Sequence, residues 1–232
     1  MKTIAIILIR EGSEGLPNKN IKLFCDKPLC FWTIEQALNS KVFDEIWVSS
    51  DSEEYLTLCE TEFKDSCNYL FRDKKFALST TTTYETLEYL FSNEDEDFVF
   101  MNLQVTSPLR TVPQIQNALN LFKNSKAHHL VSFAKTDKSK SLYMDKTEDD
   151  WLVPSCHGGS YRRQSEPEKW YPTGSIWLST KTKYLKDKTF YTCHTKLFET
   201  SNLHSFEIDD IIDFEVCEFL FSKYFLTKSN EV

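Results

Sequence analysis

Two stretches of this 232-residue chain carry side chains of the types that handle phosphate and metal. The first is the loop Arg10-Glu11-Gly12-Ser13-Glu14-Gly15-Leu16-Pro17-Asn18-Lys19-Asn20. Glycines let backbone N–H groups close on phosphate oxygens, and Arg10 and Lys19 supply charge-assisted hydrogen bonds. The loop has neither GxxxxGK[ST] nor GxGxxG spacing, so it licenses neither a kinase-type nor a dinucleotide site. Read alone, a surface turn with two basic residues also accounts for it. The second stretch is Glu207-Ile208-Asp209. On extended backbone its carboxylates share one face, a geometry that suits Mg²⁺ with phosphate oxygens and water. Acidic residues before a helix also serve the helix N-terminus, a part that Asp210 and Asp213 fit better.

Three further groups offer recognition chemistry. Gln104, Thr106 and Ser107 present amide and hydroxyl groups to a polyhydroxylated ligand, or form a plain Ser-Pro turn. The run Ser79 to Thr83 offers short polar side chains for ligand contact, and equally a helix start with Thr82 or Thr83 as cap. Arg163 is of the right type for a bidentate contact with a carboxylate, or belongs to an exposed basic pair with Arg162. Arg110 reads as a loop-ordering residue, and His157 as a loop histidine.

The elements that must position these groups alternate. Thr3 to Ile9 is a continuous apolar run, as in a strand buried on both faces of a parallel sheet. Residues 28 to 40 place Phe31, Ile34 and Leu38 at helical spacing after Pro28. Phe43 to Ser49 reads as a second strand, closed by the helix-start signal Ser50-Asp51-Ser52 with Glu53 and Glu54. A helix near 53 to 63, a strand near 68 to 71, a helix near 83 to 92 and a strand from Phe98 to Leu103 continue the pattern. Such βαβ units predict an α/β fold with a mostly parallel central sheet, ligands lying beyond the carboxyl ends of its strands. The whole of 1–232 reads as one domain. Lys- and Asp-rich loops from 128 to 180 read as strands with long loops inserted into that core. Residues 210 to 225 predict a closing helix with Phe214, Cys217, Phe221 and Tyr224 inward.

Composition narrows the function. With 41% apolar residues the chain has ample material for a core. A net charge of −8 argues against nucleic-acid and anionic-membrane partners, while a local Arg/Lys cluster can still hold a small anion. The apolar run near the N-terminus is too short to span a membrane and lacks the flanks of a signal peptide. Seven scattered cysteines without CxxC spacing suggest neither a disulfide framework nor a zinc site. The expectation is a cytoplasmic protein with reduced thiols.

The string Ile-Arg-Glu-Gly-Ser-Glu-Gly-Leu-Pro-Asn-Lys-Asn from Ile9 resembles the N-terminal signature of the acylneuraminate cytidylyltransferases. Pro28-Leu29, Trp47-Val48-Ser49-Ser50-Asp51, Arg72, Leu103 to Arg110, Arg162-Arg163-Gln164, Gly174 and Glu207-Ile208-Asp209 with Asp213 match in order. The resemblance covers nearly the whole chain. It implies a Rossmann-like nucleotidyltransferase fold with a dimerisation region inserted near 128–180, and a homodimer in which Trp151 to Trp177 forms the interface. It also implies attack by the anomeric hydroxyl of an acidic sugar on the α-phosphorus of CTP, giving a CMP-sugar and pyrophosphate. In the roles so implied, Arg10, Ser13, Lys19 and Asn20 bind the triphosphate, and Arg72, Thr81 and Thr83 hold the cytidine. Gln104, Thr106, Ser107 and Arg163 contact the sugar, and Glu207 and Asp209 carry Mg²⁺ or Mn²⁺. Arg10, Lys19 and Asp209 would be the catalytic residues.

The sequence departs from the family pattern where sugar and metal should sit. Glu14 replaces a Lys, Ser79 an Asp, Thr173 an Asn, Trp177 a Tyr, and Glu207 the first Asp of Asp-Ile-Asp. CTP use therefore rests on firmer ground than sialic acid itself; a legionaminic, pseudaminic or Kdo-like acid fits as well. Transfer of a different nucleotide on the same fold, or a binding module that has lost activity, are the alternatives.

Overall fold

A computed structural model of the chain describes residues 1–13, 15–136, 143–154 and 168–226. Its centre is a seven-stranded sheet in the order β11-β7-β10-β6-β1-β4-β5. These strands are β1 (Thr3–Ile9), β4 (Glu45–Ser50), β5 (Asn68–Phe71), β6 (Val99–Leu103), β7 (His129–Lys135), β10 (Trp170–Thr180) and β11 (Thr195–Glu199), while β2 (Leu23–Phe24) and β3 (Lys27–Pro28) pair apart from it as a short antiparallel ladder. Strand β10 runs antiparallel to both β6 and β7, and the remaining pairings are parallel. The mostly parallel sheet expected from the alternation is therefore present.

Strand β1 is apolar throughout because it is covered on both sides. Ala5, Ile7 and Ile9 enter one core cluster with α1 (Leu29–Ser40), α2 (Glu53–Phe63), α4 (Val112–Lys123) and α6 (Ile211–Phe221). Ile4 and Ile6 point the other way, into a cluster with α3 (Thr83–Phe91) and α5 (Lys181–Asp187). This is the period-two rule acting on a sheet with helices on both faces.

Three details depart from the expected elements. The two ends of the 128–180 stretch are not insertion but strands of the central sheet, β7 and β10. Between them, β8 (Met144–Lys146) and β9 (Leu152–Pro154) form a separate hairpin. The predicted closing helix ends at Phe221 and continues as a π-turn over Ser222–Leu226. The wider turn rotates Tyr224 off the inward face, leaving it 42% exposed while Phe214, Cys217 and Phe221 are buried. Ser52 stands at the N-cap of α2 without a side-chain cap bond; instead its N–H donates to Ser50 Oγ, and Asp51 accepts from Glu11 N–H. No helix among the described residues is long and apolar enough to cross a membrane.

Candidate active site

The carboxyl ends of β1, β4, β5 and β6 meet at one edge of the sheet, and the chain leaving them walls a cleft of about 380 Å³. Arg10, Ser13, Lys19, Asn20, Arg72, Thr81, Thr83, Gln104, Thr106, Glu207 and Asp209 all line it. Ser107 does not: it is buried, with its Oγ lacking a partner. Arg163 and Glu14 lie outside the described residues, as does His157.

The phosphate-type loop is held from within. Asn20 is buried and donates from Nδ2 to Arg10 O at 2.8 Å, closing the loop on itself. Asn18 takes a left-handed conformation (φ 55°) and accepts from Tyr55 OH at 3.0 Å, which anchors the turn to α2. Lys19 reaches across to the acidic segment and donates from Nζ to Ile208 O at 2.6 Å, with Asp209 Oδ1 4.0 Å away. Burial pulls the Lys19 ammonium below the ordinary lysine range, against the pull of Asp209 and Glu207.

Arg72 is buried behind the loop. It donates to Ser49 O at 2.5 Å and to Ile9 O at 3.0 Å, with Asp51 Oδ1 4.0 Å away. It thus ties the ends of β4 and β1 together, while burial lowers its guanidinium to about 10. Its part in the cleft is largely to fix this floor, since its terminal nitrogens are engaged by main-chain oxygens. Thr82 caps α3 through a capping box with Glu85, so Thr81 and Thr83 flank a helix N-terminus at the cleft.

Gln104, Thr106 and Glu207 interlock. Gln104 Nε2 donates to Thr106 Oγ1 at 2.7 Å and also to Glu207 Oε1, which Thr106 Oγ1 approaches at 3.2 Å. Burial, reinforced by Asp209, raises the Glu207 carboxyl above the usual range. Asp209 is different, with a side chain 83% exposed toward the opening. Asp213 accepts from the N–H groups of Asp209 and Asp210 and completes the cap of α6, which leaves Glu207 and Asp209 as the acidic pair of the cleft. Two glycines make the close approach possible. A Cβ on Gly15 would sit 2.5 Å from Asp209 O, and one on Gly174 would sit 2.7 Å from Glu207 Oε2. Gly174 has φ +67° and lies in the register shift of β10 between Pro172 and Trp177.

The profile of the cytidylyltransferase family matches residues 4–230. The chain belongs to the cytidylyltransferase family. An N-acylneuraminate cytidylyltransferase of Streptococcus agalactiae serotype V is 33% identical over all of this chain and 57% of its own length. A pseudaminic acid cytidylyltransferase of Campylobacter jejuni serotype O:2 is 30% identical over 95% of this chain and 97% of its own. The chain thus spans little more than half of the streptococcal relative. A solved structure described as CMP:2-keto-3-deoxy-manno-octonic acid synthetase complexed with CTP shares the fold. Its TM-score is 0.72 at 13% identity, over 96% of this chain and 99% of that one.

Set against the cytidylyltransferase pattern, the departures separate. Ser79 lines the cleft. Thr173 is buried and donates to Ser132 Oγ at 2.8 Å, so it holds the β10 bulge to β7 and does not face the cleft. Glu207 uses its extra methylene to reach Gln104 and Thr106. Trp177 belongs to a second cavity of about 250 Å³, which shares Thr83, Asn102 and Gln104 with the cleft and continues past Lys188 and Tyr191. Asn102, which lines both spaces, carried no motif in the sequence because it sits inside an apolar strand.

Proposed function

We propose that the protein is a cytidylyltransferase that activates an acidic sugar with CTP, releasing pyrophosphate. The observation that carries the reading is the convergence of Arg10, Lys19 and Arg72 with Glu207 and Asp209 on a single cleft at the strand ends. The two relatives support it, one an N-acylneuraminate cytidylyltransferase and the other a pseudaminic acid cytidylyltransferase. Arg10, Ser13, Lys19 and Asn20 hold the triphosphate, with Thr81 and Thr83 at the start of α3 beside the cytidine. The second cavity takes the acceptor, Gln104 lying at the junction where its anomeric hydroxyl must meet the α-phosphorus.

Such phosphoryl chemistry needs positioning and charge neutralisation more than a covalent nucleophile. Lys19 supplies a cation fixed by main-chain oxygens, and Arg10 supplies a second. Glu207 and Asp209 fit Mg²⁺ or Mn²⁺: hard carboxylate oxygens, two in number, opening on a cleft with room for phosphate and water. When bound, the metal neutralises charge on the phosphates. We read the protein as cytoplasmic, in keeping with the free thiols of Cys25, Cys30, Cys59, Cys67, Cys193 and Cys217. We also read it as a homodimer. The β8–β9 hairpin supports this, since it exposes Met144, Trp151, Leu152 and Val153 together.

The test is pyrophosphate release from each of the four nucleoside triphosphates with Mg²⁺ and a set of eight- and nine-carbon ulosonic acids. Turnover with CTP and one or more of these acids is expected. Preference for another nucleotide, or CTP binding without turnover on any acid, overturns the reading.

A further inference from the structure

On the sheet edge opposite the cleft, His128, His129 and Asp187 bring their ligand atoms within 4.8 Å of one another. His129 opens β7, and Asp187 ends α5. His128 Nδ1 and His129 Nε2 lie 3.1 and 3.0 Å from the same oxygen, Asp187 Oδ2. The hydrogen positions decide what this arrangement is. Ser179 Oγ is 3.0 Å from His128 O and 3.0 Å from Thr180 O. With its hydrogen on either main-chain oxygen, Ser179 Oγ is an acceptor toward His129 Nδ1, 2.9 Å away. In that tautomer Nδ1 carries the hydrogen and Nε2 turns its lone pair toward Asp187 Oδ2, 3.0 Å away, as a metal-binding imidazole does.

We infer that His128, His129 and Asp187 form a second metal site, separate from the cleft, for a zinc-class divalent cation. Two imidazole nitrogens and one carboxylate oxygen are a borderline donor set of the kind zinc takes, with a fourth position left for water. Bonds of about 2.0–2.1 Å place tetrahedral ligands roughly 3.3 Å apart, a few tenths of an ångström beyond the separations to Asp187 Oδ2. Ser179 then plays the part usual behind a metal-binding histidine, accepting from the distal N–H and fixing the ring. The ring of His129 packs on Tyr184 and Phe190 at centroid distances of 6.5 and 5.9 Å. Both residues wall the second cavity. A metal here clamps the end of α5 to the start of β7 and steadies that wall.

The full chain, stripped with chelator and held in excess Mg²⁺ to occupy the cleft, is titrated with Zn²⁺ against a chromophoric competitor. One tight equivalent is expected, with X-ray absorption showing imidazole nitrogen and no sulfur at the zinc. His128→Gln, at a half-buried position, and Asp187→Asn should each weaken that equivalent at least about 100-fold, and Ser179→Ala roughly 10–100-fold. If no zinc binds, the inference falls. It falls equally if the variants bind zinc like the parent, or if sulfur, as from the exposed Cys193, appears in the zinc shell.

Discussion

Lys19 is the residue on which the cleft turns, because its ammonium joins the loop after β1 to the backbone of the acidic segment at Ile208. Removing it deletes a cation and releases that segment. Lys19→Ala should lower kcat/KM for CTP by about 100-fold or more, the scale of a lost charge-assisted contact in a desolvated site. Steady-state kinetics checks this, and unchanged constants would remove Lys19 from the site. Glu207 makes the opposite exchange, stability for function. Its carboxyl is raised by burial, so the folded state resists ionisation more than the unfolded chain does. Its contribution to stability is present below the unfolded pKa and is lost as pH rises through the folded one. Glu207→Gln should therefore raise the denaturation midpoint at neutral pH in metal-free buffer, with the gain shrinking toward pH 4, while turnover falls steeply. A midpoint that drops at neutral pH would contradict the cost of burying this charge.

At the scale of elements, the bulge in β10 is the feature that aims the site. Gly174 sits there at positive φ with its α-carbon against the Glu207 carboxylate. Gly174→Ala should cost roughly 1–3 kcal/mol in chemical denaturation and displace Glu207 from Gln104, lowering kcat more than it alters CTP affinity. Loss of CTP binding with kcat intact would argue against that placement. The strands and helices from Thr3 to Leu103 were legible because their apolar periodicity is clean, with the Thr82–Glu85 capping box marking the start of α3. The phosphate-type loop and Glu207-Asp209 were legible as residue types, and the resemblance joined them across almost two hundred positions. Less was legible between 128 and 200. Polar loops disguise β7 and β10 as parts of an insertion, and nothing in a strand's own sequence announces that it runs antiparallel. Lys188 and Tyr191 carry no motif, since only the path of the chain after α5 brings them beside Gln104. Arg72 lines the cleft as the sequence suggested, and its hydrogen bonds to two strand ends, which no motif announces, appear only in the fold.

For the molecule as a whole, the exposed apolar hairpin sets the assembly prediction. Trp151 is 73% exposed and Leu152 68%, an arrangement costly to leave in water. Light scattering at micromolar concentration should report a dimer, and a Trp151→Lys, Leu152→Lys double variant should shift it to monomer. A parent protein that is monomeric at that concentration would refute the homodimer. One buried residue has a reach wider than its contacts. Arg110 is 1% exposed, donates to Gln104 O, Ser175 O and Thr33 Oγ1, and has no carboxylate within 4.0 Å among the described residues. Burial lowers its guanidinium to about 9, which leaves it charged at neutral pH. Inside the protein no counter-ion stands between this charge and the cleft wall, so over that short path it is screened less than a surface lysine would be. On a chain of net charge −8, this fixes a positive charge directly behind Gln104, in the wall that the cleft and the second cavity share.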